Sequence, residues 1–317
     1  MEESCRFRPP TVGRQVTWEV TRFCNLLCDH CCTDSGPTVD RRAEPTTAAL
    51  VEVAGQLADA DITKVYFSGG EPLLREGFLD LLEAINTDRV RVHVVSNGYH
   101  LDETTIERLK SAGLGKLGVS LDGGDATQHD RLRRRKGAFE RTVAGISRAV
   151  AAGLGVGVSV TVTPTNLHTL DSLMDTLVGI GVPVVSLHSV FPVGRAARHP
   201  ELLLRAAALS GFERKVRDLE ARYGQHITID HNFGSGGSRA DAGCPAQTRL
   251  LHIDPSGDVS PCSWLCKTDP RTYTLGNITH APLREIVDTY CQGLDSLLRS
   301  QAAGCPLPLA ISRRAKS

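Results

Sequence analysis

Between Gln15 and Ala196 the chain repeats one unit six times: a short β-branched run, a glycine-rich or polar loop, then a stretch with apolar residues at helical spacing. Gln15 to Thr21 enters a cysteine loop, Lys64 to Phe67 ends in Ser68-Gly69-Gly70-Glu71-Pro72, and Val90 to Val95 in Ser96-Asn97-Gly98. Leu117 to Leu121 ends in Asp122-Gly123-Gly124, Val156 to Val162 in Thr163-Pro164-Thr165-Asn166, and Val184 to Val190 in Phe191-Pro192-Val193-Gly194-Arg195-Ala196. Strands that alternate with helices build a parallel sheet, and right-handed crossovers curl such a series towards a barrel. Six units predict an α/β fold with a partial (β/α)6 barrel rather than a closed eight. Every unusual loop follows a strand, so the special residues converge on the rim where parallel barrels place their chemistry.

The first of those loops carries Cys24, Cys28 and Cys31 as C-x-x-x-C-x-x-C. Three thiolates leave one iron of a 4Fe-4S cubane open, where a small ligand can bind. A zinc site would ask for a fourth Cys or His at matching spacing. Cys32 is a poor fourth ligand, because adjacent residues in an extended loop point apart. The ten cysteines leave a gap between Cys32 and Cys244. The opening residues lack an apolar signal core, so a cytoplasmic location is expected, and in that reducing compartment cysteines serve metals rather than disulfides. The formal net charge is zero, which excludes a whole-chain field for nucleic acid or membrane. The longest apolar run, Ala149 to Val162, is interrupted by glycines and falls short of a membrane span.

Past the sixth unit, Glu201 to Tyr223 reads as a helix and 233–242 as a polar loop. A hairpin is expected from Leu250 to Ile253 and Val259 to Cys262 around Asp254-Pro255-Ser256-Gly257-Asp258. The expected domains are an N-terminal arm at 1–14, the barrel at 15–200, a helical linker at 201–242 and a small C-terminal module at 243–317.

The cysteine loop followed by Gly69-Gly70-Glu71-Pro72 resembles the radical S-adenosylmethionine (radical SAM) superfamily. That resemblance implies a 4Fe-4S cluster on Cys24, Cys28 and Cys31, and SAM as second cofactor. Gly69, Gly70 and Glu71 would hold the SAM amino group, and Ser96, Asn97, Ser120 and Asp122 its ribose or carboxylate. A turn-forming role is the alternative for each of these, and for Asn97-Gly98 it is preferred. His129-Asp130-Arg131-Leu132-Arg133 through Gly137 and Phe139 resembles the H-D-x-x-R-x-x-x-G-x-F stretch of peptide and cofactor maturases, with Arg133 as a clamp on the SAM carboxylate. The spacing Cys244, Gly257, Cys262 and the run Leu275-Gly276-Asn277-Ile278 resemble a SPASM or Twitch auxiliary-cluster module. One second 4Fe-4S cluster is then expected, on Cys244, Cys262, Cys305 and either Cys266 or Cys291. The alternative is a decayed module with buried free thiols.

What this resemblance implies is a one-electron cleavage of SAM by the cluster, fed by flavodoxin or ferredoxin, with the 5′-deoxyadenosyl radical taking hydrogen from a substrate C–H. A small-molecule substrate is preferred, as in a cytosylglucuronate-type decarboxylase of antibiotic biosynthesis, with Arg195 clamping the acid and His188 inside the same rim. A peptide maturase and a haem-modifying enzyme are alternatives. The second is suggested by Thr17 to Arg22 and the Cys28-Asp29-His30-Cys31 ending. A non-catalytic iron-sulfur scaffold is the reading from another class.

Overall fold

The computed structural model describes residues 13–204, 206–231 and 249–288. Their elements run β1 (Arg14–Glu19), α1 (Thr47–Gln56), β2 (Ile62–Ser68), α2 (Phe78–Glu83), β3 (Arg91–Ser96), α3 (Glu103–Ser111) and β4 (Lys116–Ser120). There follow α4 (Ala126–Arg133), α5 (Ala138–Ala151), β5 (Val156–Val162), α6 (Leu170–Ile180), β6 (Val184–Ser189), α7 (Ala206–Tyr223) and β7 (Thr228–His231). The last are β8 (Leu250–Ile253), β9 (Asp258–Ser260), α8 (Ser263–Thr268), α9 (Pro270–Tyr273) and β10 (Gly276–Asn277). All six expected strands form, each within about two residues of its expected bounds, because their β-branched alternation supplies the helix-covered face that a parallel sheet requires. The described residues divide into two compact units: 13–22, 40–92 and 249–288 in the first, 23–39 and 93–231 in the second.

In the first unit the strand order is β10-β9-β8-β1-β2. β1 runs parallel to both β2 and β8, while β8, β9 and β10 are antiparallel. Trp18 of β1 packs 5.6 Å from Phe67 of β2, which meets Phe78 of α2 edge-on at 5.5 Å. Thr46 caps α1 by accepting the Ala49 N–H at 3.3 Å, the cap that a Thr-Thr pair before an apolar stripe announces. The β8–β9 hairpin forms as expected. Its turn depends on Asp254, whose Oδ1 accepts the Ser256 and Asp258 N–H groups, and on Gly257 at φ +88°. Asn277 locks the same turn by donating to Ser256 O and Asp258 Oδ1.

What was not expected is that β8 adds to the free edge of β1, Gln15 N–H donating to Arg249 O at 2.8 Å. Leu251 and Ile253 are buried as a result, so these residues share one compact unit with β1 rather than standing as a module of their own.

The second unit is a parallel sheet in the order β3-β4-β5-β6-β7. Its buried face is aliphatic, with Val94, Leu117, Val119, Val160, Val185 and Leu187 all fully buried, and α5 packs on β4 and β5. α7 begins later than expected because Pro200 starts a short 3-10 turn instead, and the Tyr223 hydroxyl at its end donates to Asp175 of α6 at 2.6 Å. Two elements of this unit were not foreseen. β7 lies in the segment expected as a linker, and α4 fills the basic run after Asp122.

Candidate active site

Cys24 and Cys28 are buried and Cys31 half-buried on the loop that leaves β1, in the second unit. The loop closes on itself, with Cys24 N–H donating to Gly36 O at 3.1 Å and Cys31 N–H to Cys28 O at 3.2 Å. It is also tied to α4, through Leu27 N–H to Arg133 O and Asp29 N–H to Leu132 O. Each sulfur has a hydrogen-bonding neighbour. Leu26 N–H and Asn97 Nδ2 approach Cys24 Sγ at 3.4 and 3.7 Å, Arg133 Nη1 approaches Cys28 Sγ at 3.9 Å, and Thr33 Oγ1 lies 3.2 Å from Cys31 Sγ. Burial pushes the Cys28 thiol up to about 12, against the pull of Arg133. Among the described residues no three His, Cys, Asp or Glu side chains converge to hold a single ion. A cubane makes a different demand, here one thiolate on each of three separate irons.

Asp122, at the end of β4, is fully buried and engaged on both oxygens. Arg133 Nε and Nη2 each reach its Oδ2 at 2.6 Å, His30 Nε2 lies 3.3 Å from the same atom, and Thr161 N–H donates to Oδ1 at 2.8 Å. Burial would raise the Asp122 carboxyl, but Arg133, with His30 and His129, holds it below its ordinary value. Burial pushes His30 down to about 4, so at neutral pH its contact with Asp122 is a neutral N–H to carboxylate hydrogen bond. Asn166 fastens the next loop by donating to Asp122 O at 2.6 Å and Thr161 O at 2.8 Å.

The stretch from His129 to Phe139 is explained letter by letter. His129 Nδ1 accepts the Asp122 N–H at 3.1 Å, and its ring meets Phe139 edge-on at 6.0 Å. Asp130 accepts the Gly137 and Phe139 N–H groups at 2.6 and 2.8 Å, and Gly137 takes φ +78° to let α5 begin. Arg133 completes the set on Asp122. Its guanidinium therefore faces a carboxylate and a cysteine sulfur of the protein itself.

Other expected contacts find different partners. Arg195, expected as a clamp for a substrate acid, is 9 % exposed and holds the cysteine loop. It donates to Cys28 O at 2.9 Å and Ser35 O at 2.6 Å, and pairs with Asp34 at 3.2 Å. Gly194 before it sits at φ +60°, where a Cβ would come within 2.4 Å of Cys32 O. Ser96 accepts the Gly98 N–H and Asn97 Oδ1 the Tyr99 N–H, the turn-forming alternative, while the Asn97 amide also reaches Cys24 and Asn25. Ser120 is half-buried at the end of β4, and His188 is half-buried on β6. The supports that sequence reasoning missed, His30, Asp34 and Asn166, are polar residues whose importance lies only in partners distant along the chain.

In the first unit, Gly69 takes φ +124°, and its missing Cβ would lie 2.5 Å from Thr21 O. Gly70 N–H donates to that same carbonyl at 2.7 Å. Gly69 is thus required by the protein's own backbone. Glu71 is buried, and its Oε1 accepts the Leu73 N–H at 3.2 Å. Cys262 is half-buried before α8, and the buried Cys266 stands one turn later, its N–H donating to Cys262 O. Cys244, Cys291 and Cys305 lie outside the described residues.

Comparison with known proteins decides the class. The model of the radical SAM superfamily matches residues 18–177, about half of the chain. The chain belongs to the radical SAM superfamily. An iron-sulfur cluster-binding domain, SPASM, matches residues 244–305. This radical SAM enzyme therefore works with a 4Fe-4S cluster and SAM, and its C-terminal part is of an auxiliary-cluster type. It is 28% identical over 296 residues to the AdoMet-dependent heme synthase of Nitratidesulfovibrio vulgaris, covering 86% of this chain and 77% of that protein. It is 27% identical over 253 residues to the PqqA peptide cyclase of Methylocella silvestris, covering 77% of this chain and 66% of that one. In fold it is similar to Streptococcus suis SuiB bound to precursor peptide SuiA, with TM-score 0.76 and 17% identity over 94% of this chain and 73% of that chain. No helix among the described residues is long and apolar enough to cross a membrane.

The cysteine loop suits the cluster that the family implies. Its three sulfurs are free of disulfides, and each has a hydrogen-bonding neighbour, as a bound thiolate needs. Buried polar atoms left without a partner, Asn25 Nδ2 and His30 Nδ1, sit on the same loop.

Proposed function

We propose that this radical SAM enzyme takes hydrogen from a small polar substrate, and that the substrate radical loses its carboxylate as carbon dioxide and is closed by one electron from the reduced flavodoxin or ferredoxin and by protons from solvent, so that a sugar-acid nucleoside of the cytosylglucuronate type leaves one carbon shorter. The observation that carries the class of chemistry is the set of three hydrogen-bonded, disulfide-free sulfurs on one braced loop. When bound, the cluster and SAM supply a one-electron cleavage that yields a hydrogen-abstracting 5′-deoxyadenosyl radical. Cys24, Cys28 and Cys31 hold the cluster in this proposal, and flavodoxin or ferredoxin reduces it. Glu71, Gly69, Gly70, Ser96 and Ser120 remain the proposed contacts to SAM. Asn97, Asp122 and Arg133 act by orienting the loop, since their polar atoms are bonded within the protein. In the SPASM part, Cys244, Cys262, Cys266 and Cys305 are the proposed ligands.

An acidic substrate needs a cation, and Arg195 is engaged elsewhere. The identity to heme synthases favours a second reading, a haem-modifying enzyme.

Anaerobic, reduced protein is expected to convert SAM to 5′-deoxyadenosine and methionine. Changing Cys24, Cys28 and Cys31 together to Ala should abolish this while the SPASM part keeps its iron. Undiminished cleavage by that variant would overturn the class assignment. Carbon dioxide released from uronic-acid nucleosides tests the net reaction, and turnover of an iron porphyrin in their place would select the second reading.

A further inference from the structure

The parallel sheet of the second unit has two unlike faces. Val119, Val158, Val160, Val185 and Leu187 point to the side that is fully buried. The alternate positions point the other way, and there the register aligns Ser120 with Ser159, Ser159 with Ser186, and Ser186 with Asp230. One step further along, Thr161 stands beside His188. The three serines and His188 are half-buried and Asp230 is exposed, so this face is accessible, unlike the aliphatic one. Below the serines lie Gly118 and Gly157, which add no side chain to the floor.

The chemistry of this row is conspicuous for what it does not do within the protein. Ser96, Asn97, Asp122, Asp130 and Asn166 all have bonded polar atoms. By contrast, among the described residues no hydrogen bond engages the side chains of Ser120, Ser159 or Ser186. A sheet face that only had to pack would carry aliphatic residues at these positions, as the opposite face does. Hydroxyls on neighbouring strands stand about 4.8 Å apart. A molecule with several hydroxyls can satisfy such a row. A flat hydrocarbon surface laid over it would leave the serines unpaired, a loss that works against apolar ligands.

We propose that Ser159, Ser186, His188 and Asp230 form the substrate floor of this enzyme and select a polyhydroxylated, sugar-like small molecule. The inference rests on the reading above in one respect, that Ser120 begins the row as a SAM contact, so the substrate lies next to the cofactor. It goes beyond that reading by naming the residues that discriminate. Ser159 and Ser186 bond substrate hydroxyls, and Asp230 accepts from the hydroxyl at the far end of the row. His188 is disfavoured as a cation by burial, although Asp230 and Asp122 pull the other way, and it serves as a neutral hydrogen-bonding group.

The test uses reconstituted protein with SAM and reads binding by equilibrium dialysis, separately from SAM cleavage. The probes are glucuronic acid, cytidine, a cytosine uronic-acid nucleoside, an iron porphyrin and a short peptide. The nucleoside acid is expected to bind, and Ser159→Ala and Ser186→Ala each to weaken it roughly three- to tenfold. Ser159→Val with Ser186→Val should nearly abolish it. The unfolding midpoint of each variant is expected to match wild type, and the Ala variants carry the test if the Val pair misfolds. Binding of the porphyrin or peptide alone, or nucleoside binding unchanged in the Ala variants, would overturn the inference. Because binding is read independently, failure of SAM cleavage would count against the class assignment and not against the floor.

Discussion

At the scale of single residues, Asp122 shows how little of a side chain's role is written in its identity. Its place after the fourth strand suggested a cofactor contact. In the structure it is the anion around which Arg133, His30 and the Thr161 N–H gather, and through Arg133 and His30 it steadies the cysteine loop. Removing one partner of a buried ion pair leaves the other uncompensated, at about 3 to 5 kcal/mol. Asp122→Asn is therefore expected to lower the unfolding free energy of the metal-free protein by several kcal/mol in anaerobic urea titrations. Asp122→Asn combined with Arg133→Met should recover part of that loss. A single variant as stable as wild type would remove Asp122 from the centre of this network. Arg195 teaches the same lesson: a guanidinium at a strand exit is legible, but its partners Cys28 O and Ser35 O, well over a hundred residues earlier in the chain, are not.

At the scale of elements, β1 to β6 could be read because β-branched residues alternate over five to seven positions and a loop signal follows each. β7 could not, since Thr-Ile-Asp-His carries one apolar residue and pairs only because β6 offers an edge. α4 was hidden for another reason. Its buried positions are His129, Leu132 and Arg133, so its inner stripe is largely polar and has no hydrophobic period. The motif around it was visible, and one of its letters is architectural: Asp130 joins α4 to α5 by accepting two backbone N–H groups. Asp130→Ala should cost about 2 kcal/mol, as expected when a charged acceptor at a helix start is lost. Hydrogen exchange should locate the loosening at Gly137 and Phe139. Unchanged protection there would mean that the junction is held by Phe139 packing instead.

Over the whole molecule, residues far apart in sequence are joined inside the first unit by a buried charge cluster. Glu19, at the end of β1, pairs with Lys267 of α8, which is 248 positions away, and lies 3.2 Å from His252 Nε2 on β8. His252 in turn contacts Ser260 of β9 at 3.2 Å, so the first strand is tied chemically as well as by its ladder to the C-terminal hairpin. Burial would raise the Glu19 carboxyl, but Lys267 and His252 outweigh it and bring it down from 4.5 to about 2. A carboxyl depressed on folding adds stability above its unfolded value and loses it as pH falls through the folded one. Wild type should therefore exceed Glu19→Gln by on the order of 2 kcal/mol at neutral pH. The gap should narrow between about pH 4.5 and pH 2, where the unfolded chain binds the proton first. Urea unfolding of both proteins across this range measures the difference directly, and a gap that stays constant with pH would show that Glu19 contributes packing alone.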